Sequence, residues 1–224
     1  MSYARPDLTV DIVLLTLIQG RLYTALMQRD KAPEDGKWSL PGGYVHVDED
    51  VDSEASAVRV LRTKLGFEPR HIEQVFTAAN ANRDPRGWSA SIVYLGLQNA
   101  EELMERVEER PYLKLFDVED GGQHLPADMA FDHALLIRVA VERLRTKAAY
   151  SSIVGHFLPE TFSIPDLHGV YESVLMQTIN PANFRTKILK MACLEPSEMI
   201  HDTGRPAQGY RLANDIDYFE RPLI

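Results

Sequence analysis

The first half of the chain alternates between apolar runs rich in β-branched residues and segments with helical periodicity. Residues 8–17 predict a buried strand, and residues 21–29 predict a second strand joined to it by a Gln-Gly turn. Apolar residues recur at helical spacing from Ser53 to Leu65 and again over residues 130–146. Weaker patterns predict two strands and a short helix over residues 71–78, 89–97 and 100–109. The pattern therefore predicts a mixed α and β domain.

The pattern changes after Tyr150, and we place a boundary there, between a domain of residues 1–150 and a second of residues 151–224. Three helical segments follow, and two of them begin with a capping residue, Ser163 and Asn180. The last helix is expected to run to about Ala192. Short apolar segments can then pair around a loop of residues 201–208. Three helices and a hairpin predict a winged helix-turn-helix domain.

Length, charge and cysteine content narrow the class of protein. The 224 residues suit one large or two small domains. The net charge of −9 argues against indiscriminate coating of nucleic acid, but it allows a locally basic surface. The sequence has no long apolar run and no signal-like start, so we expect a cytoplasmic protein with no membrane segment. The single cysteine, Cys193, excludes an internal disulfide and a Cys-based zinc site.

The third helix of the second domain has a basic face. Asn183, Thr186, Lys187 and Lys190 recur at helical spacing, away from the apolar side, and Arg185 flanks them. These residue types reach phosphates and base edges in a major groove, and Arg205 at the hairpin tip could reach DNA as well. The alternative is an ordinary solvated surface, since residues 151–224 hold nine acids and six bases.

The stretch from Trp38 to Phe67 carries the most specific motif. Leu-Pro-Gly-Gly at residues 40–43 is followed by an acidic loop, a helix containing Arg59, and Leu-Gly-Phe at residues 65–67. This order resembles the Nudix box, the magnesium and pyrophosphate site of nucleoside-diphosphate hydrolases. Two extra residues separate its halves. The positions that fit the family pattern are Gly43, Glu49, Arg59, Leu61, Gly66 and Phe67.

The same motif lacks the residues that would bind magnesium. Carboxylates on one helix face can hold Mg²⁺ beside a pyrophosphate. Aligned from Gly66, the pattern's three acidic positions are Val60, Thr63 and Lys64. Aligned instead from Gly43, they are Val58, Leu61 and Arg62, so neither alignment yields a carboxylate. We therefore expect no catalytic residue and no metal site in this helix. The loop acids form either a solvated loop or an unusual metal site.

The two halves together resemble the NrtR type of Nudix-related transcriptional regulators. The matching stretches, besides residues 40–43, are residues 83–87 (Arg-Asp-Pro-Arg-Gly), 131–133 (Phe-Asp-His), 183–185 and 204–207. The resemblance implies an α+β chain, in which a Nudix-like α/β/α sandwich precedes the winged helix. It also implies a homodimer on a palindromic operator, without a cofactor. The implied effector is ADP-ribose or a related phosphorylated metabolite, and the implied targets are genes of NAD metabolism.

A pyrophosphate effector needs positive groups around it. The candidates are Arg59, Lys64, Arg83 and Arg86. Arg59 could instead pair with the loop acids and only hold the box together. Residues 83–87 could form a wall of the effector site or a structural turn, and Asp132 could simply be an acid at a helix start.

Other functions stay open at this point. The chain could be an active Nudix hydrolase that uses loop acids such as Glu49 and Asp52 as metal ligands. It could regulate sugar catabolism with a sugar effector, as bacterial relatives of this architecture do. A third possibility is a metabolite-binding protein that acts only through protein contacts. The sequence does not give the operator or the direction in which an effector changes DNA affinity.

Overall fold

A computed structural model describes residues 5–120, 122–201, 206–220 and 223. The N-terminal part contains seven strands and three helices among these residues. In chain order they are β1 (Asp7–Ile18), β2 (Arg21–Gln28), β3 (Trp38–Ser39), β4 (Gly42–Tyr44), α1 (Ser53–Leu65), β5 (His71–Asn80), β6 (Ser89–Leu97), α2 (Ala100–Glu108), β7 (Leu113–Asp117) and α3 (His133–Ala148).

The strands form one mixed sheet in the order β3-β2-β1-β6-β5, with β4 paired to β1 and β7 paired to β2. The central pair, β1 and β6, is parallel, whereas β4 runs antiparallel to β1 and places Gly42 opposite Asp11. The apolar patterns predicted β1, β2, β5 and β6. They did not predict β3, β4 and β7, which have two to five residues each, too few for a period to be recognised.

Both faces of the sheet are covered. Every residue of β1 from Val10 to Thr16 is buried, as expected for a strand between two layers. Val10, Ile12 and Leu14 belong to the cluster that packs against α1, and the alternate residues, which are also buried, face the opposite side. The helix supplies four buried apolar side chains to that cluster: Ala57, Val60, Leu61 and Leu65. The predicted mixed α and β sandwich is confirmed.

The box helix α1 begins and ends at the residues that the sequence indicated. The Asp52 side chain accepts a hydrogen bond of 2.8 Å from the backbone N–H of Ala55, so Asp52 is the N-cap. Gly66 ends the helix with φ of +81°, a left-handed conformation that favours glycine. Local interactions therefore determine where α1 begins and ends.

The C-terminal part contains a short 3-10 helix (Ile153–Phe157), helices α4 (Ile164–Leu175) and α5 (Pro181–Lys190), and strands β8 (Leu194–Ile200) and β9 (Ala207–Leu212). Helix α4 begins with a complete capping box between Ser163 and Asp166. Helix α5 begins at the predicted cap, Asn180, but ends two residues before the predicted Ala192. The predicted winged helix-turn-helix arrangement is confirmed.

The hairpin of this part is longer than predicted. Ile200 pairs with Ala207 and Met199 with Gln208, so the loop between the strands is shorter than residues 201–208. The segment 210–212, predicted to pair with residues 199–200, pairs instead with residues 194–196. The sequence signal was weak because Pro196 and a register shift interrupt the alternation of β8.

Contacts divide the chain into two compact units: Met1–Thr16 with Tyr23–Val141, and Leu17–Leu22 with Glu142–Ile224. The division between these units falls within α3, so this helix contributes residues to both. The domain boundary expected after Tyr150 stays a prediction. Within the described part of the chain, no helix has the length and apolarity needed to cross a membrane.

Candidate functional site

The Leu-Pro-Gly-Gly segment forms one wall of a cavity in the first unit. Gly42 lies directly over Asp11, and a Cβ added at Gly42 would fall 2.2 Å from Asp11 Oδ1 and 2.8 Å from the Val10 carbonyl oxygen. Only glycine can occupy this position without displacing β1. The cavity has a volume of about 160 Å³ and is lined by Thr9, Asp11, Arg29, Ser39, Leu40, Gly42, Gly43, Tyr44, Lys64, Arg83, Asp84, Arg86, Phe131 and His133.

A buried polar network forms the floor of this cavity. Arg83 donates to both carboxylate oxygens of Asp132, at 3.1 Å each, and to Asp11 Oδ2 at 3.3 Å. Ser91 Oγ donates to the same Asp11 oxygen at 2.6 Å. Since Arg83 is only 8% exposed, the two carboxylates are needed to hold its charge in the interior. Asp132 therefore binds Arg83 as well as lying at the start of α3.

His133 belongs to the same network and is neutral. Burial lowers the pKa of its imidazole, although Asp11 acts in the opposite direction. The backbone N–H of Leu40 donates to Nδ1 at 2.9 Å, so the single proton is on Nε2, which lies 3.5 Å from Asp11 Oδ1. The first residue of α3 thus ties the Leu-Pro-Gly-Gly segment to β1.

Arg86 lies at the rim of the cavity and is held by Asp84. Its guanidinium donates to Asp84 Oδ2 at 2.6 Å, and its backbone N–H donates to Asp84 Oδ1 at 2.9 Å. This ion pair lowers the pKa of the Asp84 carboxyl group. The guanidinium also lies 5.4 Å from the ring centroid of Tyr44 and 6.0 Å from that of Phe131. Residues 83–87 form both a turn and a wall of the cavity.

Arg59 is the one effector candidate that does not line this cavity. Its Nε donates to Asp50 Oδ1 at 2.7 Å, and one Nη2 hydrogen bond reaches the Tyr44 carbonyl oxygen at 2.9 Å. The Arg59 guanidinium holds the pKa of the Asp50 carboxyl group well below its usual range. Arg59 was expected either to bind the effector or to pair with the loop acids. Its contacts are those of the second expectation.

The helix positions that carry magnesium ligands in the Nudix pattern do not suit a metal here. Val60 is buried and lies under Gly43, while Thr63 is exposed. The Nζ of Lys64 donates to the Gly42 carbonyl oxygen, and burial lowers the pKa of this ammonium group. Among the residues described, no group of three potential ligands converges in the cavity. The residues present therefore do not fit the magnesium ion that the fold implies.

The cavity contains a further cation, Arg29, that the sequence pattern did not single out. Its side chain donates to the carbonyl oxygens of Pro33, at 3.0 Å, and Lys31, at 3.4 Å. Its guanidinium carbon lies 4.8 Å from the ring centroid of Phe131, whose φ of +53° is unusual for a side-chain-bearing residue. The pairing of β2 with β3 brings Arg29 to the box, and no sequence motif indicates that pairing.

The basic face of α5 is exposed as predicted from its spacing. Phe184 and Ile188 are buried, while all five predicted DNA-binding residues of this helix are exposed. Arg185 and Lys190 have no acidic partner within the described ranges of the chain. The five residues are Asn183, Arg185, Thr186, Lys187 and Lys190.

Two side chains of this face are tied to the protein itself. Thr186 Oγ1 donates to the Ala182 carbonyl oxygen at 2.9 Å, and Lys187 Nζ donates to the Leu223 carbonyl oxygen at 2.9 Å. Leu223 is 1% exposed, and this hydrogen bond ties it to α5. Arg205, the sixth predicted residue, lies outside the described residues.

Family models match both parts of the chain. The NUDIX domain model matches residues 5–139, and the NrtR DNA-binding winged helix domain model matches residues 154–212. Fold and sequence together define a Nudix-domain protein with a C-terminal DNA-binding winged helix. The chain is 34% identical to the ADPR responsive transcriptional repressor NtrR of Acinetobacter baylyi. The match covers 99% of this chain and 89% of that protein. The chain belongs to the NrtR family.

Two solved structures extend the comparison. Shewanella oneidensis NrtR complexed with a 27mer DNA is 34% identical, with a TM-score of 0.86, 97% of this chain covered and 99% of that one. The Nudix domain of the same protein complexed with ADP ribose is 35% identical, with a TM-score of 0.56, 63% of this chain covered and 90% of that one. The first likeness spans nearly the whole chain, whereas the second is to a Nudix domain alone.

Proposed function

We propose that this protein is a transcriptional repressor whose Nudix domain binds ADP-ribose and thereby changes its affinity for operator DNA. One observation carries the proposal: the same chain combines a cation-lined cavity at a Nudix box with an exposed basic helix in a winged-helix domain. Two relatives match nearly the whole chain. One is named an ADPR responsive transcriptional repressor, and the other is an NrtR protein solved in complex with DNA.

The cavity favours a phosphorylated effector over a neutral sugar. Arg29, Lys64, Arg83 and Arg86 line it, and cationic donors bind phosphate oxygens more strongly than neutral donors do. We therefore assign Lys64, Arg83 and Arg86 to the effector site, with control of NAD metabolism genes as its physiological role. Arg59 supports the site by holding the acidic loop through Asp50.

The protein acts as a sensor and not as a hydrolase. The loop acids that an unusual metal site would need are engaged elsewhere. Asp50 binds Arg59, Asp52 caps α1, and Glu49 Oε2 lies 3.0 Å from His46 Nδ1. A sensor that left its effector intact would preserve the signal.

We assign DNA binding to the exposed face of α5 and to Arg205. We also assign the DNA-bound form to a homodimer. Helix α5 is the third helical element of the winged-helix domain, the position of a recognition helix. Two copies related by a two-fold axis would match the two halves of a palindromic operator. A transcriptional repressor needs access to chromosomal DNA. The proposal therefore includes a cytoplasmic location.

Fluorescence anisotropy with a labelled fragment from upstream of its own gene tests this function. We expect sub-micromolar affinity, with log K falling by about 0.9 per phosphate contacted as log salt rises. ADP-ribose should shift the curve, and no AMP should form in the presence of Mg²⁺. The variant Lys187→Ala with Arg205→Ala should bind the fragment more weakly while staying folded. Absence of sequence-specific binding to any upstream fragment would contradict the proposal, as would ADP-ribose turnover of roughly 1 s⁻¹ or more.

A further inference from the structure

The charges around the cavity do not all have partners. Arg83 is bound by Asp11 and Asp132, and Arg86 is bound by Asp84. These pairs offset part of the positive charge of the two guanidinium groups, because each already faces a carboxylate. The other two cations of the cavity, Arg29 and Lys64, therefore offer an anion the positive charge that these carboxylates do not offset.

Among the residues that the structure describes, the side chains of Arg29 and Lys64 donate hydrogen bonds only to backbone carbonyl oxygens. Lys64 donates to Gly42, while Arg29 donates to Pro33 and Lys31. In the part of the chain that the structure describes, neither forms an ion pair with a carboxylate. The carbonyl groups orient the two cations without neutralising them.

The two cations also act on each other. Burial is the main cause that lowers the pKa of the Lys64 ammonium group, and the positive charge of Arg29 lowers it further, while Asp11 and Asp30 act in the opposite direction. Two like charges in a partly buried site repel each other, and an anion placed between them would remove that repulsion. The pair is thus arranged to gain from an anionic ligand.

Their position suits the middle of a long ligand. Arg29 and Lys64 line the cavity already described, and they also line a second one of about 520 Å³ that extends toward Met27, Gln28 and Tyr112. A diphosphate held at this junction can carry one substituent into each cavity. ADP-ribose has this form, with a diphosphate between two riboses.

Resting on the proposed function, we propose that Lys64 and Arg29 form a metal-free binding site for the effector's diphosphate. Lys64 occupies a position where the Nudix pattern places a magnesium ligand. Its ammonium group would supply, from the protein itself, the positive charge that a hydrolase takes from the metal. The diphosphate is thereby bound without a divalent cation that could promote its hydrolysis.

Isothermal titration calorimetry of the full chain with ADP-ribose tests this site. Wild-type affinity should be the same in excess EDTA and in Mg²⁺. Lys64→Met and Arg29→Met should each weaken ADP-ribose binding roughly tenfold or more, the usual effect of losing a hydrogen bond to a charged group. Arg29→Lys, which keeps the charge, should retain most of the affinity. Adenosine, which has no phosphate, should bind the wild type and Lys64→Met equally.

The matched control is Arg62→Met on the same helix. Arg62 is exposed, pairs with Glu68 and does not line either cavity, so its removal should leave ADP-ribose affinity unchanged. Lys64→Met should fold, since an apolar side chain replaces a partly buried charge that forms no ion pair within the described residues. Magnesium-dependent binding, or wild-type affinity in both methionine variants, would overturn the site but leave the repressor intact. No ADP-ribose binding by the wild type would instead refute the proposed function.

Discussion

The Nudix cavity and the exposed face of α5 are both rich in cations, but the two regions hold them differently. In the cavity, Arg83 is buried and bound by two carboxylates. On α5, Arg185 and Lys190 are exposed and, as far as the structure describes the chain, have no acidic partner. A cation in the first setting contributes to folding, whereas a cation in the second is available to a partner molecule. Substitutions of Arg83 and of the α5 cations should therefore separate stability from DNA binding.

The largest effect on stability is expected for Arg83→Met. It leaves Asp132 and Asp11 without their cation in a buried site, which should lower the free energy of unfolding by about 3–5 kcal/mol. Urea unfolding followed by tryptophan fluorescence measures this in the first unit alone, because both tryptophans, Trp38 and Trp88, lie there.

Arg62→Met is the control, because it removes an exposed ion pair that is worth at most about 1 kcal/mol. If Arg83→Met were no more destabilising than Arg62→Met, the contrast between the two regions would be lost. Combining Arg83→Met with Asp132→Asn should restore part of the lost stability, since one of the unpaired charges is then absent.

The sequence predicted the elements that are long or locally capped, and it missed those that depend on distant partners. Asp52 and Gly66 mark the ends of α1 because their side chain and backbone act within one turn. Residues 130–132, by contrast, were predicted to be helical, but Phe131 adopts a left-handed backbone and α3 begins at His133. The apolar period does not reveal such a turn.

The candidate site shows the same difference between features set by the local sequence and features set by distant partners. Its motif residues could be read from the spacing of the Nudix pattern, but their partners could not. Arg83 and Asp11 are 72 positions apart in sequence, and the parallel pairing of β1 with β6, the strand that follows Arg83, brings them together. Arg29 is placed by the pairing of β2 with β3, which involves only two residues of each strand. Contacts of this kind depend on the complete sheet.

An intermediate loss of stability, equal in both units, is expected when the helix-capping asparagines are replaced by alanine. Asn180 caps α5 by accepting a hydrogen bond of 3.0 Å from the Asn183 N–H, and Asn99 caps α2 in the same way with the Glu101 N–H, also at 3.0 Å. Asn180→Ala and Asn99→Ala should each cost about 1 kcal/mol. Hydrogen exchange of the amides in each helix measures the loss. A cost near zero for α5 would mean that its packing through Phe184 and Ile188 alone fixes the helix.

The smallest effect on stability, with a clear effect on binding, is expected for Lys190→Ala. Lys190 is exposed in the last turn of α5, so its loss should change the free energy of unfolding by no more than about 0.5 kcal/mol. If it contacts a phosphate, the slope of log K against log salt should decrease in magnitude by about 0.9. Arg211→Ala is the control in the same domain, because Glu195 already binds that guanidinium at 2.7 and 3.0 Å. An unchanged slope for Lys190→Ala, or an equal change for Arg211→Ala, would mean that unpaired charge on α5 does not decide DNA affinity.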